Sequence, residues 1–161
     1  EVDFAFVDDF NMDSQIKTEK VYDEVLKLYC SESYFKSKKK QVTGLKGKQL
    51  YENFEYISYE KGEPLLRYWL KQHLKAGQIN LKVRSYVADA LAISRLITSG
   101  LGVGILPGHH GAKLLEQGYK LHEFDSKGKE SLNKISIASV KNRTHSTAVQ
   151  KTLEFLLTKF K

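Results

Sequence analysis

The sequence has little that could cross-link or anchor it. Its 161 residues include one cysteine, Cys30, so no disulfide can form within the chain. Leu28 and Tyr29 beside it are typical of a strand, which favours a buried structural thiol in a reducing compartment. We therefore expect no cysteine chemistry.

Long apolar runs are also missing. No stretch approaches the roughly 18 consecutive apolar residues that a membrane span requires. The first residues, EVDFAFVDDF, carry acids where a signal peptide would carry lysine. These absences predict a soluble, cytoplasmic chain without a membrane partner.

What the sequence does contain is typical of a packed globular protein, with 41% hydrophobic and 28% charged residues. Its length allows one domain or two small lobes. The net charge of +7 raises nucleic acid as a partner, and six lysines fall between Lys36 and Lys48 without an acid among them. Because no aromatic residues are interleaved for base stacking, we interpret this segment as a solvated loop. A basic groove for nucleic acid stays open as an alternative.

Apolar periodicity predicts alternating strands and helices. The strands are expected at residues 2–6, 21–29, 54–59, 79–85, 103–107, 119–124 and 134–140, and the helices at 64–77, 87–99, 110–117 and 149–160. Residues 8–13 read as a loop. This alternation predicts an α/β fold with a parallel or mixed sheet.

No motif in the sequence predicts catalysis, a metal or a cofactor. Gly100, Gly102 and Gly104 follow a predicted helix and precede a strand, which is the reverse of a phosphate-binding loop, so tight turning and close packing are the favoured explanation. A Gly-x-Ser-x-Gly elbow is missing, and the adjacent His109 and His110 have no ligand partners at suitable spacing. We expect no catalytic residue, no metal site and no cofactor.

Polar residues at predicted strand ends are the better candidates for ligand binding, because ligands of open α/β sheets lie beyond the carboxyl ends of strands. The candidates are Asp8, Tyr59, Glu60, Ser85, Tyr86 and Val87. Each has a simpler explanation: Asp8 could hydrogen-bond its own loop, Tyr59 could belong to the core, and Ser85 could cap a helix beginning near Val87.

Residues 83–107, with the segment GLGVGILP, resemble the effector-binding domain of LysR-type transcriptional regulators. Five further stretches resemble other parts of the domain and occur in the same order as in the family. They are VDFAFV, VYDEVLKLYCSESYF, LKGKQLYENFEYISY, GAKLLEQGYKLHEF and KISIASVKNRTHSTAVQKTLEFL. The resemblance covers almost the whole chain, and GLGVGILP is its most specific motif.

The resemblance implies a two-lobed fold like type 2 periplasmic binding proteins, with an effector held between the lobes and an incomplete first lobe. Lobe I would comprise residues 1–25 and 122–161, and lobe II residues 26–121. The first strand–helix–strand of lobe I, the linker helix and the winged helix-turn-helix would be absent. The implied partners are a small-molecule effector, further copies in a homodimer or tetramer, and DNA only through the absent winged helix.

Carried over by position, the family's pocket residues fall on the same six positions. An aspartate at position 8 would oppose a carboxylate, and Glu60 would add to this effect, whereas a helix beginning at Val87 would favour an anion. An effector with both an amine and a carboxylate would satisfy both. The alternatives are a free-standing solute-binding protein of a transporter and an enzyme that uses Asp8 or Glu60 as its carboxylate.

Overall fold

The computed structural model describes residues 2–8, 13–74, 78–126 and 130–160. Helices and strands alternate through these residues, which confirms the predicted α/β class. The elements are β1 (Phe4–Asp8), β2 (Ile16–Ser31), α1 (Glu32–Val42), α2 (Gly47–Tyr51), β3 (Glu55–Ser58), α3 (Pro64–Leu74), β4 (Lys82–Tyr86), α4 (Ala90–Thr98), β5 (Gly104–Pro107), α5 (Gly108–Glu116), β6 (Leu121–Glu123), β7 (Ser131–Val140) and α6 (Thr147–Lys159).

The chain divides into two compact units. Unit 1 comprises residues 1–24 and 132–161, and unit 2 comprises residues 25–131. Residues 122–131, which the family resemblance assigns to the first lobe, fall in unit 2, where β6 pairs with β2 through Cys30 and His122. The identification of these units with the two lobes of the family stays a prediction.

Unit 1 is built on antiparallel strands. β1 pairs with β7 from Phe4 opposite Ser139 to Asp8 opposite Ile135, and β2 is the other neighbour of β7. α6 begins at Thr147, two residues before the predicted start, because the Ser146 side chain accepts a hydrogen bond from the backbone of Val149 and so caps its first turn. The apolar face of α6 is only partly covered, since none of its residues is buried.

Unit 2 contains most of the buried side chains. In it β2 continues as an antiparallel partner of β5 and β6, while β3 and β4 form a parallel pair. The core is rich in aromatic residues, with Trp69, Tyr56, Phe54 and Tyr29 almost fully buried. Cys30 is buried as predicted, and this burial raises the pKa of its thiol to about 12.

The lysine-rich segment corrects the sequence prediction. Residues 36–48 are expected as a loop, but most of them form α1 and the start of α2. Ser31 caps α1 by accepting from the backbone of Tyr34 at 3.1 Å, and Lys36 pairs with Glu32 one turn away at 3.0 Å. Lysine is a good helix former, and buried Tyr34 and Val42 anchor the helix, so the dense charge is compatible with a regular helix.

The start of α4 is a second correction. The helix begins at Ala90, three residues after the predicted position, and Asp89 is its cap through a 2.7 Å hydrogen bond from Ala92. Ser85 is therefore not the cap, and Val87 lies outside the helix. The apolar pair Val87 and Ala88 extends the helical pattern of the sequence beyond the real helix.

The glycine turn after α4 serves close packing, as predicted. Gly100 has φ +76, a conformation that favours glycine, and ends the helix. At Gly102 a Cβ atom would lie 2.8 Å from the backbone oxygen of Glu55. The bare backbone at Gly102 thus allows the following residue, Val103, to bridge β3 at Tyr56. No helix within the described ranges is long and apolar enough to cross a bilayer.

Candidate functional site

The six candidate residues fall into the two units. Tyr59, Glu60, Ser85, Tyr86 and Val87 belong to unit 2, whereas Asp8 belongs to unit 1.

The five candidates of unit 2 meet at one edge of the β3–β4 pair. The two strands run parallel, so their carboxyl ends lie together, with Ser58 opposite Tyr86. The backbone N–H of Val87 donates to the carbonyl of Ser58 at 2.8 Å and extends this pairing past the strand ends. The structure therefore brings the segments 59–60 and 85–87 side by side.

The individual side chains at this edge differ in what they offer. Tyr59 is half-buried against the cluster around Ile57 and Leu106, and its hydroxyl donates to the carbonyl of Ile105 at 3.4 Å. Glu60 is exposed. The environment of Tyr59 is thus that of a core residue, which is its simpler explanation. The Glu60 carboxylate, in contrast, is exposed and free to meet a ligand.

Ser85 and Val87 also serve the fold. Ser85 is half-buried opposite Ile57, and Val87 packs against the same cluster as Tyr59. The helix start that is expected near Val87 to attract an anion lies instead at Ala90. The Asp89 carboxylate already accepts a hydrogen bond from one of the free backbone N–H groups there. This removes the main reason to expect a carboxylate of the ligand at that point.

Glu63 is a residue of this edge that the sequence pattern does not reveal. It is 6% exposed, and its Oε1 accepts a 2.9 Å hydrogen bond from the hydroxyl of Tyr86. Its Oε2 accepts from Arg67 Nη2 at 2.8 Å and Nε at 3.1 Å. The hydrogen bond to Glu63 raises the pKa of Tyr86. An acid just before Pro64 looks like an ordinary turn residue, which is why its role is hidden in the sequence.

Asp8 lies in a group of polar side chains in unit 1. The side-chain amide Nδ2 of Asn133, on β7, donates to Asp8 Oδ1 at 2.9 Å and lies 3.4 Å from Glu24 Oε2. Asn133 is 3% exposed, and its Oδ1 has no hydrogen-bond partner among the described residues. One buried amide therefore holds two carboxylates from two different strands.

These two carboxylates carry uncompensated charge. Among the residues that the structure describes, no lysine, arginine or histidine forms an ion pair with Asp8 or Glu24. Glu24 accepts a further hydrogen bond from the Tyr22 hydroxyl at 3.0 Å. Partial burial, with Glu24 as a second cause, raises the pKa of Tyr22 to about 12. Within the described ranges the site therefore has no positive partner, and a cationic ligand would supply one.

Asn133 and Glu24 are missing from the sequence prediction. Asn133 immediately precedes the predicted strand 134–140, and Glu24 lies within an alternating strand, so both have the appearance of surface residues. The described parts of the chain contain no group of three or more His, Cys, Asp or Glu side chains arranged to hold a metal ion.

Comparison with known proteins identifies the family. A model of the LysR substrate binding domain matches residues 1–161. The chain belongs to this family. No curated protein shows significant similarity to the sequence.

Solved structures share the fold at low identity. The effector-binding domain of QuiR in complex with shikimate is 17% identical, with a TM-score of 0.70, over 98% of this chain and 71% of that one. The CcmR regulatory domain of Synechocystis in complex with 2-PG is 18% identical, with a TM-score of 0.71, over 100% and 74%. Full-length LysG of Corynebacterium glutamicum with bound Arg is 15% identical, with a TM-score of 0.70, over 98% and 50%.

These findings confirm the expected periplasmic-binding-protein-like fold and the expected place among LysR-type regulators. The domain is the effector-binding, sensory part of such a regulator. The alternative of a free-standing solute-binding protein has no support from them. The bound molecules differ among the three relatives, so the fold alone does not identify the effector of this chain.

Proposed function

We propose that this LysR-type domain senses a small metabolite that carries a positively charged amino group, and that Asp8 and Glu24 recognise that group. The observation that carries the proposal is the pair of carboxylates held by the Asn133 amide without a cationic partner among the described residues. An ammonium group would supply both the missing charge and hydrogen-bond donors.

The candidate residues of unit 2 support the same ligand class. Tyr86 is 44% exposed, and its hydroxyl is fixed by Glu63, so part of its ring remains accessible. The face of a tyrosine ring attracts ammonium groups. Glu60 adds an exposed carboxylate at the same strand end. That a single effector meets Asp8 together with Tyr59, Glu60, Ser85, Tyr86 and Val87 stays a prediction from the family.

The effector would act through differential affinity. A ligand that binds one arrangement of the domain more tightly than another shifts the population toward it, and oligomer contacts pass the shift to DNA-binding heads. We further infer that the domain acts by binding without catalysis, in the cytoplasm, as a homodimer or tetramer, and that a separate winged helix-turn-helix contacts DNA.

Thermal-shift and calorimetric titrations test the ligand class. The cationic panel is lysine, arginine, ornithine, putrescine and cadaverine, and the anionic panel is succinate, citrate and malate, which have no apolar body. A ligand present at 100 times its Kd should stabilise the domain by about 2.7 kcal/mol. We expect stabilisation by at least one cationic compound and by none of the acids.

Variants then locate the ligand. Asp8→Asn and Glu24→Gln should each weaken binding of the responding amine by about tenfold or more. Asp23→Asn is the matched control, because Asp23 is an exposed carboxylate on the same strand as Glu24 and pairs with Lys20. Stabilisation by the acids alone, or equal affinity of Asp8→Asn and Asp23→Asn for the amine, would refute the proposal.

A further inference from the structure

A cavity of about 840 Å³ lies in unit 2 and includes none of the six candidate residues in its wall. It is formed where α2, α3 and the segment 78–80 meet. Its lining consists of Lys48, Glu52, Arg67, Leu70, Lys71, Gln78, Ile79 and Asn80. The volume is that of a typical small-molecule site.

Hydrogen bonds fix segment 78–80 on both of its sides. On the α2 side, the backbone N–H of Asn80 donates to Glu52 Oε1 at 3.0 Å. On the α3 side, Arg67 Nη1 donates to the carbonyl of Ile79 at 3.4 Å. Arg67 is itself held by Glu63, so the wall does not depend on a mobile side chain. The cavity is therefore largely formed before any ligand binds.

The lining joins an apolar floor to a positive rim. Leu70 and Ile79, which are 2% and 7% exposed, line the base of the cavity and leave a small apolar surface open to a ligand. The lining contains three cationic side chains, Lys48, Arg67 and Lys71, and one carboxylate, that of Glu52. The charge of Arg67 is already balanced by Glu63 behind it, so the two lysines provide the excess positive charge.

Neither lysine forms a strong ion pair within the described residues. The ammonium of Lys48 lies 3.6 Å from Glu52, a distance and exposure at which an ion pair contributes little. The side-chain ammonium of Lys71 has no ion pair or hydrogen bond to any part of the chain that the structure describes. Lysines solvated on an open helix face would look similar, but these two border a cavity with an apolar floor and the amides of Gln78 and Asn80.

We propose that this cavity is a second ligand site of the domain, one that binds a small amphipathic anion: a phosphate or carboxylate group on an apolar body. Lys48 and Lys71 would bind the anionic group, and Leu70 and Ile79 would contact the apolar part. The ligand class is the opposite in charge to that proposed for Asp8 and Glu24, so the two sites make separate predictions.

Phenyl phosphate is a suitable probe because it combines both features. In ¹⁵N–¹H correlation spectra of the 161-residue chain, its titration should shift the amides of Lys71 and of residues 78–80. Benzyl alcohol, which lacks the charge, and inorganic phosphate, which lacks the apolar body, should each bind at least tenfold more weakly. Equal binding of either one would overturn the proposed ligand class.

Substitution of Lys48 and Lys71 is the second test of the proposed site. The double variant Lys48→Gln with Lys71→Gln should weaken phenyl phosphate binding at least tenfold. The control is Lys113→Gln with Lys120→Gln, which removes the same charge from unit 2 outside the cavity and should leave phenyl phosphate binding unchanged. Thermal melts confirm that both double variants fold. Shifts that map only outside the lining residues of the cavity, or equal weakening in both double variants, would refute the site.

Discussion

The hydroxyl of Tyr86 donates a 2.9 Å hydrogen bond to Oε1 of Glu63 and so ties the end of β4 to the turn after β3. The other carboxylate oxygen accepts from Arg67 on α3. Glu63 has φ 52, a left-handed conformation that costs a residue with a side chain about 1 kcal/mol. One buried carboxylate thus joins a strand, a turn and a helix, and these contacts hold its backbone in place.

Substitutions of Arg67 and of Glu63 should lower the stability of the domain by different amounts. Arg67→Met leaves the nearly buried Glu63 carboxylate without its cation and should lower the free energy of unfolding by about 1–3 kcal/mol. Glu63→Gln keeps an acceptor for Tyr86 and should cost less. Urea denaturation measures both, with Lys71→Met as a control on the same helix that should change stability by less than about 0.5 kcal/mol. Equal stability of Arg67→Met and Lys71→Met would contradict the inferred role of Arg67.

The glycines of the GLGVGILP segment predict a graded effect of added Cβ atoms. At Gly102 the new atom would lie 2.8 Å from the backbone oxygen of Glu55, whereas at Gly104 it would lie 2.9 Å from the side-chain Cδ1 of Ile97. Backbone in a strand cannot shift as easily as the end of an isoleucine. Gly102→Ala should therefore destabilise the domain by about 2 kcal/mol and Gly104→Ala by less, as measured by urea denaturation. The reverse order would show that the packing at Gly102 is looser than described.

The fold was largely predictable because most elements have a strong periodic pattern. α3 and α6 follow apolar spacing of three and four residues, and β3 and β5 are compact apolar runs. The pattern failed where local caps decide the outcome. The cap Asp89 makes α4 begin later than the apolar residues suggest. The cap Ser31 begins α1 in a segment whose many lysines indicate a loop.

The site was less predictable because it depends on contacts between distant residues. The sequence pattern brings Tyr59 and Glu60 to a strand end, and the parallel pairing of β3 with β4 places Tyr86 beside them. The contacts of Glu63 with Tyr86 and of Asn133 with Asp8 join residues that are distant in the sequence. No local periodicity identifies a buried carboxylate or a buried amide of this kind.

The proposed amine site predicts a conflict between stability and binding. Asp8 and Glu24 both approach the Asn133 amide, so their charges repel each other when no ligand is bound. Asp8→Asn should raise the free energy of unfolding of the ligand-free domain by about 0.5–1 kcal/mol at low salt, and the gain should shrink in 1 M NaCl. Asp23→Asn removes a salt bridge to Lys20 and should not stabilise the domain. A loss of stability in Asp8→Asn would indicate that the charge of Asp8 is already compensated.

His122 predicts a loss of stability in mild acid. Its ring stacks on Phe35 with centroids 3.6 Å apart and meets Phe124 edge-on at 5.0 Å. Burial lowers the pKa of His122, and the Glu32 carboxylate opposes this only in part. In the unfolded chain the same imidazole titrates near pH 6.5, so below about that pH the unfolded state binds more protons than the folded state.

The contribution of His122 to stability should therefore be complete above pH 6.5 and should decrease as the pH falls toward the lowered pKa of the folded state. Urea denaturation of the wild-type chain and of His122→Phe at pH 7.5 and 5.5 tests this, because phenylalanine keeps the aromatic stack and cannot take up a proton. The wild-type chain should lose more stability than the variant between the two pH values, since the other four histidines are common to both. Equal losses would mean that His122 accepts a proton in the folded domain as readily as in the unfolded chain.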